Sequence, residues 1–305
     1  MPTPQTSTPD RTGLLAALSA YVMWGFLPLY LILVQVVPPT EFVAWRIIFT
    51  VPICLLIVML RRQMPEIRAA LTDRRVILTL LGSATLIGVN WFVYVWAIQN
   101  GNVYAASLGY YINPLLNVVL GTVFLGEVLT RRQWFAAGLA AAGIALLLGG
   151  ALTTLWISLT LAGSFATYGL LRKQVAVGAL PGLTIESALL LPLALGIAWV
   201  FAAGPDGSAV AVSAELTLSI MLGGALTAIP LLLFAIAARR MNYSTLGFIQ
   251  FLAPTIVFIL GLTVFEEELQ LVQLACFVMI WSAAAIFVWD IVQRSRIAVK
   301  ASAAS

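Results

Sequence analysis

Two stretches, PLLNVVLGTVFLGEVLTRRQ at 114–133 and PTIVFILGLTVFEEELQLVQ at 254–273, share the spacing P-x6-G-x5-E-x5-Q at an offset of 140 residues. The spaced positions are Pro114, Gly121, Glu127 and Gln133 in the first and Pro254, Gly261, Glu267 and Gln273 in the second. None of the four types is aliphatic, so a coincidence of oily residues is a poor account of the match. Leu120 and Leu129 align with Leu260 and Leu269, Asn102 with Asn242, Ala97 with Ala237 and Pro52 with Pro192 at the same offset. Ser107-Leu108-Gly109 is like Thr245-Leu246-Gly247 at an offset of 138. The chain therefore reads as a duplication, with one repeat over 13–150 and a second over 152–293.

What surrounds these stretches decides the solvent they fold in. Of 305 residues, 9% are charged and 62% are hydrophobic, and mean hydropathy is +1.03. A soluble domain carries roughly 25% charge, so this composition belongs in lipid. The absence of histidine removes the H-E-x-x-H zinc site and the Ser-His and Cys-His pairs. Cys54 and Cys276 lie apart in apolar runs, and no glycine precedes Lys173 or Lys300 as a phosphate loop requires. No metal or cofactor is expected.

Crossing the hydrocarbon takes roughly 20 apolar residues. Ten stretches qualify: 13–37, 41–60, 76–98, 103–125, 133–150, 152–171, 182–203, 214–238, 243–265 and 270–293. Fifteen of the 16 basic residues fall at the N-terminus, in alternate connections or at the C-terminus, all on one side of this threading. By the positive-inside rule that side is the cytoplasm, with both termini in it. The net charge of +4 is thus a topological signal and gives no reason to invoke nucleic acid. Five spans per repeat is odd, so the second half is inverted, as in many secondary transporters. The fold class expected is all-α integral membrane, with ten helices in two inverted five-helix repeats. Residues 1–12 and 294–305 read as loose polar tails.

Ala20-Tyr21-Val22-Met23-Trp24-Gly25-Phe26-Leu27-Pro28, Asn90-Trp91, Ala106-Ser107-Leu108-Gly109-Tyr110-Tyr111-Ile112-Asn113-Pro114-Leu115 and Ser244-Thr245-Leu246-Gly247-Phe248 resemble the RarD-like branch of the EamA group, in the drug/metabolite transporter superfamily. The resemblance covers about residues 11–293. It implies a bacterial inner (plasma) membrane location and a permease or exporter. Two departures stand out. Trp45 occupies a place where RarD-like chains are expected to carry His, which weakens the case for a histidine proton step. Glu266-Glu267 stands where the first repeat has Gly126-Glu127.

Arg46 is the basic residue left inside a span. Such a charge is unfavourable by about 2.5–3.5 kcal/mol and usually faces a partner or a wet cavity. Its guanidinium fork suits an anionic or carboxylate group; pairing with an outer glutamate is the structural alternative. Glu186, its equivalent at offset 140, is the acid placed to carry a coupled proton; pairing with Arg172, Lys173 or Arg11 is the alternative. The two lie near opposite faces, so a bridge between them is not expected. Ser107, Tyr110, Asn113, Asn117 and Gly121 form one stripe of the fourth span, while Ser83, Asn90 and Tyr94, with Trp91 beside them, share a face of the third. Gly247, Gln250 and Pro254 do so in the ninth. Arg46, Asn90, Trp91, Tyr94, Tyr110, Asn113, Asn117 and Gln250 are therefore the candidate substrate pathway, against helix–helix hydrogen bonding as the alternative. Trp24 and Tyr168, in matching Trp-Gly and Tyr-Gly positions, are candidate gates. Pro28, Pro114, Pro230 and Pro254 are candidate hinges.

The expected activity is secondary transport of small organic metabolites or drugs by alternating access, with proton coupling as an option. The partners are a small-molecule substrate and the lipid bilayer, and the chain works as a monomer or homodimer. An intramembrane enzyme would need converging reactive groups at one depth, and none is found in the sequence. A structural or regulatory membrane protein without flux is the remaining alternative, and the repeat and the polar stripes count against it.

Overall fold

The computed structural model describes residues 10–100, 102–148, 152–266 and 268–302, and every regular element among them is helical. In order they are α1 (Arg11–Leu31), α2 (Pro39–Leu60), α3 (Met64–Thr72), α4 (Arg74–Gln99), α5 (Val103–Leu125), α6 (Arg131–Leu147), α7 (Leu155–Gln174), α8 (Ala179–Ala202), α9 (Ala214–Arg240), α10 (Tyr243–Gln250), α11 (Leu252–Thr263) and α12 (Leu271–Ser302). Their starts carry local signals: Asp10, Asp73 and Ser213 cap α1, α4 and α9, and Thr130 with Gln133 forms a capping box on α6. Gly126, at φ 65°, ends α5 in the left-handed region that glycine enters without strain.

Eight segments are long and apolar enough to cross a membrane: α1 with the short turn after it, α2, α4, α5, α8, α9, α10 with α11, and α12. Helices also stand at the other two expected positions. The described part of α6 is 17 residues long, and α7 carries Ser158, Thr160, Ser164, Thr167, Arg172 and Lys173 among its 20 residues, which lowers its mean hydropathy. Positions 149–151, at the expected join of the two repeats, and Glu267 of the P-x6-G-x5-E-x5-Q spacing lie outside the described residues.

The two expected tails need correction. The C-terminal tail is helical as far as Ser302, because residues 294–302 contain no Gly or Pro to stop α12. Arg11 and Thr12 already belong to α1. Among the four hinge candidates, only Pro254 accompanies a break. The apolar segment Tyr243–Thr263 divides at Phe251, between α10 and α11, where Pro254 offers no N–H to the Gln250 carbonyl. Pro28, Pro114 and Pro230 sit within unbroken helices.

The packing comes in corresponding pairs. α1 lies on α9 as α7 lies on α4; α2 lies on α9 as α8 lies on α4; α1 lies on α11 as α7 lies on α5. α2 pairs with α8, α6 with α12 and α5 with α10. One end of the bundle collects most basic residues and is tied by side-chain to main-chain bonds. Lys173 Nζ donates to the carbonyls of Ala238 (2.8 Å) and Met241 (2.6 Å), and Arg239 to those of Val175 and Val177, each at 2.7 Å. Glu66 accepts from the Gly178 N–H, and Glu127 from those of Tyr243 and Ser244, at the N-termini of α8 and α10. We call this the basic end. The largest buried apolar cluster lies against it and includes Tyr21, Val58, Tyr168, Val175, Phe234 and Tyr243.

Candidate functional site

Arg46 lies in the half of the bundle away from the basic end, seven residues into α2. Its Nε donates to Thr227 Oγ1 on α9 at 2.8 Å. The guanidinium carbon stands 5.5 Å from the Phe42 ring and 5.7 Å from the Trp91 ring, within the range of cation–π attraction. The phenols of Tyr30, Tyr94 and Tyr110 lie within electrostatic reach, and the Tyr94 and Tyr110 rings meet edge to face at 5.9 Å.

Among the described residues no carboxylate pairs with Arg46. Glu41, five residues earlier on α2, is buried and engaged elsewhere: Oε1 accepts from Ser208 Oγ (2.6 Å), the Ala209 N–H (2.9 Å) and Trp45 Nε1 (3.1 Å). Arg46, Trp91 and Tyr94 keep partial accessibility, and Tyr110 is 38% exposed. The result is an aromatic-walled cation inside a span with its two Nη groups uncommitted to any acid.

Two glycines permit this geometry. A Cβ on Gly223 would stand 2.7 Å from Tyr30 Oη and 3.1 Å from both Arg46 Cγ and Phe42 Cε2, and one on Gly224 would stand 2.6 Å from Phe49 Cβ. Small residues at both positions let α9 approach α2 closely enough for Thr227 to reach Arg46.

The expected amide set divides. Asn90 Nδ2 donates to the Leu161 carbonyl (2.8 Å) and Ser164 Oγ (3.0 Å), and Asn113 Nδ2 to the Ala162 carbonyl (2.8 Å), so both are buried links from α4 and α5 to α7. Asn117 Nδ2 donates to Gln250 Oε1 at 2.8 Å, next to the break between α10 and α11. The Tyr21 hydroxyl approaches the same oxygen at 3.5 Å. These four amides do not surround Arg46. Trp91, Tyr94 and Tyr110 do.

Glu186 is buried towards the basic end. It accepts a short hydrogen bond from Ser83 Oγ, and its Oε2 lies 3.7 Å from Arg172 Nε. Arg172 is fully buried; its Nη2 donates to the Ala179 carbonyl at 2.7 Å, and Tyr168 stands beside both charges. Glu186 and Arg46 thus have separate partners. Trp24 and Tyr168 border one aromatic cluster: Trp24 is 5.7 Å from Phe165 and 5.9 Å from Phe234, and Tyr168 is 5.9 Å from Phe165 and 6.1 Å from Phe234. Tyr168 and Phe234 belong to the buried apolar cluster at the basic end, and Trp24 and Phe165 pack against it.

A groove of about 540 Å³ on the bundle's flank, lined by Arg74, Arg75, Leu78, Thr79, Gly82 and Leu171, contains none of the expected site residues. Tyr30, Phe42, Gly223, Gly224 and Thr227 are not among the sequence candidates, whereas the alternative pairing of Glu186 with Arg172 is present and the arginine is fully buried. The Gly-Gly pair within a span was the available signal for close packing. No spacing rule links Thr227 to Arg46.

Comparison with known proteins bears on what this arrangement does. Residues 11–149 match the model of the EamA-like transporter family. The chain is 40% identical to an uncharacterized transporter of Pseudomonas aeruginosa over 280 residues, covering 92% of this chain and 94% of the relative. It is 40% identical over 293 residues to the RarD protein of Salmonella typhimurium (94% and 97% covered), and 37% identical over 290 to an uncharacterized transporter of Bacillus subtilis (94% and 96%). A solved crystal structure superposes with a TM-score of 0.73 at 19% identity, covering 90% of this chain and 96% of the other, which shows a shared fold.

Proposed function

The chain belongs to the RarD-like group of the EamA-like transporter family, and from that premise we propose that it is a secondary transporter of small organic metabolites or drugs, working by alternating access as a permease or exporter. The observation that carries this reading is Arg46: a cation within a span, lacking a carboxylate partner among the described residues and partly accessible between aromatic walls. An unpaired charge in lipid is costly, and a ligand that completes it is a physical reason to keep it there. Arg46, Trp91, Tyr94 and Tyr110 form the substrate contact region. Asn90, Asn113, Asn117 and Gln250 hold the helices around it, Trp24 and Tyr168 border the gate on the basic side, and Glu186 is the proton-coupling group.

The threading we propose has ten spans, in two inverted repeats over 13–150 and 152–293, with both termini cytoplasmic in a bacterial inner membrane. Three observations support it: the corresponding helix pairs, the offset of 140 between the repeat motifs and the fifteen basic residues on one side. On this reading the described conformation is closed at the cytoplasmic end. No enzymatic step is needed.

The test is counterflow. Proteoliposomes loaded with a pooled metabolite library are given the same pool outside with isotopic labels, and exchange is read by mass spectrometry. Saturable exchange of at least one solute supports transport. Product formation without exchange, or no exchange of any solute at measured incorporation of folded protein, overturns it.

A further inference from the structure

Arg172 is the least satisfied charged group described. It is fully buried, yet its Nε and Nη1 have no hydrogen-bond partner, and neither does the Oε2 of Glu186 beside them. The pair stands at 3.7 Å, outside hydrogen-bonding range, with Nη2 alone committed, to the Ala179 carbonyl. Gly182 leaves room for the guanidinium: a Cβ there would collide with Arg172 Nη1. A buried ion pair normally compensates desolvation with well-made bonds. Here Nε faces Glu186 Oε2 at ion-pair distance without a hydrogen bond, and Nη1, beside Gly182, has no partner.

The helices around this pair correspond to those around Arg46. In the outer half, Arg46 of α2 meets Thr227 of α9 and Tyr30 of α1. Near the basic end, Glu186 of α8 meets Ser83 of α4 and Arg172 of α7. α8, α4 and α7 occupy the second set of packing pairs that α2, α9 and α1 occupy in the first. The outer set has an open cation; the inner set has a cation covered by the protein's own carboxylate.

We infer that Arg172 is a second anion site, masked by Glu186 in the closed state and unmasked when Glu186 takes up a proton. The inference rests on the transport reading and names the inner station of the same pathway. Its charge balance is simple. The closed pocket holds Glu186 carboxylate and Arg172 guanidinium, net zero. One proton from the aqueous phase at the basic end adds to the carboxylate, and one anion then pairs with the guanidinium, again net zero. Proton and anion each favour the other's binding, and that coupling is reciprocal. The two therefore travel together, and an inward proton gradient favours anion uptake.

The other groups near Glu186 leave this assignment in place. Ser83 on α4 and Tyr168 on α7 are neutral hydrogen-bonding groups. Cys54 on α2 is a buried thiol beside Thr184 of α8. Arg239 on α9 is held by the Val175 and Val177 carbonyls, and Glu66 on α3 by the Gly178 N–H.

The probe is benzenesulfonate, an anion that stays charged across the pH range used. Thermal midpoints are measured in detergent over a concentration series, with Arg46→Gln in every protein so that the outer site does not contribute. A tethered carboxylate competes at an effective concentration of the millimolar order or above, so Glu186→Gln should bind the probe at least about tenfold more tightly than its parent. Adding Arg172→Gln should abolish that gain. The Arg46→Gln parent should itself bind the probe roughly tenfold more tightly at pH 5.5 than at pH 8. This arm keeps the test decisive even if Glu186→Gln folds poorly. Equal affinity at both pH values, or a gain that survives Arg172→Gln, overturns the inference. Because binding is read without flux, a negative counterflow result and a negative probe result remain distinguishable.

Discussion

Thr227 Oγ1 accepts the Arg46 Nε–H at 2.8 Å and donates its own hydrogen to the Gly223 carbonyl at 2.7 Å. That relay fixes which edge of the guanidinium is used by the protein and leaves the Nη pair for a ligand. Thr227→Val keeps the shape and removes the acceptor. A hydrogen bond to a charged group contributes about 1.5–3 kcal/mol, so the half-saturation concentration of an anionic solute should rise about tenfold or more. Arg46→Gln should do at least as much while the protein remains folded, and Arg46→Lys should not rescue it, because ammonium lacks the planar fork. Initial rates of exchange over a concentration series measure all three. Unchanged kinetics for every transported solute in Arg46→Gln would remove Arg46 from the site.

Asn90 should behave as a structural residue. Its amide joins α4 to α7 through two hydrogen bonds and is buried. Interhelical hydrogen bonds in membranes contribute about 0.6 kcal/mol on average. Asn90→Ala should therefore lower the thermal midpoint slightly and leave half-saturation within about twofold. A large rise in half-saturation with an unchanged midpoint would return Asn90 to the substrate pathway.

The contrast between Asn90 and Arg46 shows what the sequence could carry. Apolar runs and alternating basic connections located the helices within a few residues, because lipid imposes length and charge rules on each segment separately. A polar stripe reads the same whether it faces a cavity or a neighbouring helix. Asn113 and Tyr110 lie on one stripe of α5, yet Asn113 bonds to α7 while Tyr110 stays open beside Arg46. Arg172 was legible as one of three basic residues near enough to pair with Glu186, but only its burial and the packing of α7 on α8's neighbours single it out from Lys173 and Arg11. Thr227 is 181 positions from Arg46, and only the packing of α9 on α2 brings them together. The break at Phe251 was legible as a proline, but Pro114, 140 positions before Pro254, leaves α5 whole.

Gly247 should be intolerant of a side chain. A Cβ there would stand 2.6 Å from the Pro114 carbonyl oxygen and 3.0 Å from Asn117 Cβ, so α10 and α5 would have to part. The nearer atom is backbone and has little freedom to move. Gly247→Ala should lower stability by about 1–3 kcal/mol, the usual range for overpacking. Gly138→Ala on α6 is the control, with nothing within 4 Å of the new methyl; it should be neutral or gain a few tenths of a kcal/mol from helix propensity. Thermal midpoints of the two variants in one detergent make the comparison. Equal effects would refute the close-approach reading.

Asp10 and Arg240 close the basic end between the first turn of α1 and the last of α9, at 2.6 Å. The Arg240 guanidinium, helped by the Thr12 N–H, holds the Asp10 carboxyl below its ordinary range. A carboxyl depressed in the folded state binds its proton more readily when unfolded. Its contribution is therefore present above the unfolded value and is lost as pH falls through the folded one. The pair is exposed, so salt should weaken it. Asp10→Asn should lower the thermal midpoint at neutral pH and low salt, and its difference from the parent should shrink towards zero as pH falls below the ordinary carboxylate range. Arg240→Gln should show the same convergence. Midpoints of the three proteins across that acid range decide it: a gap independent of pH would mean that Asp10 acts at this helix start by a route other than its charge.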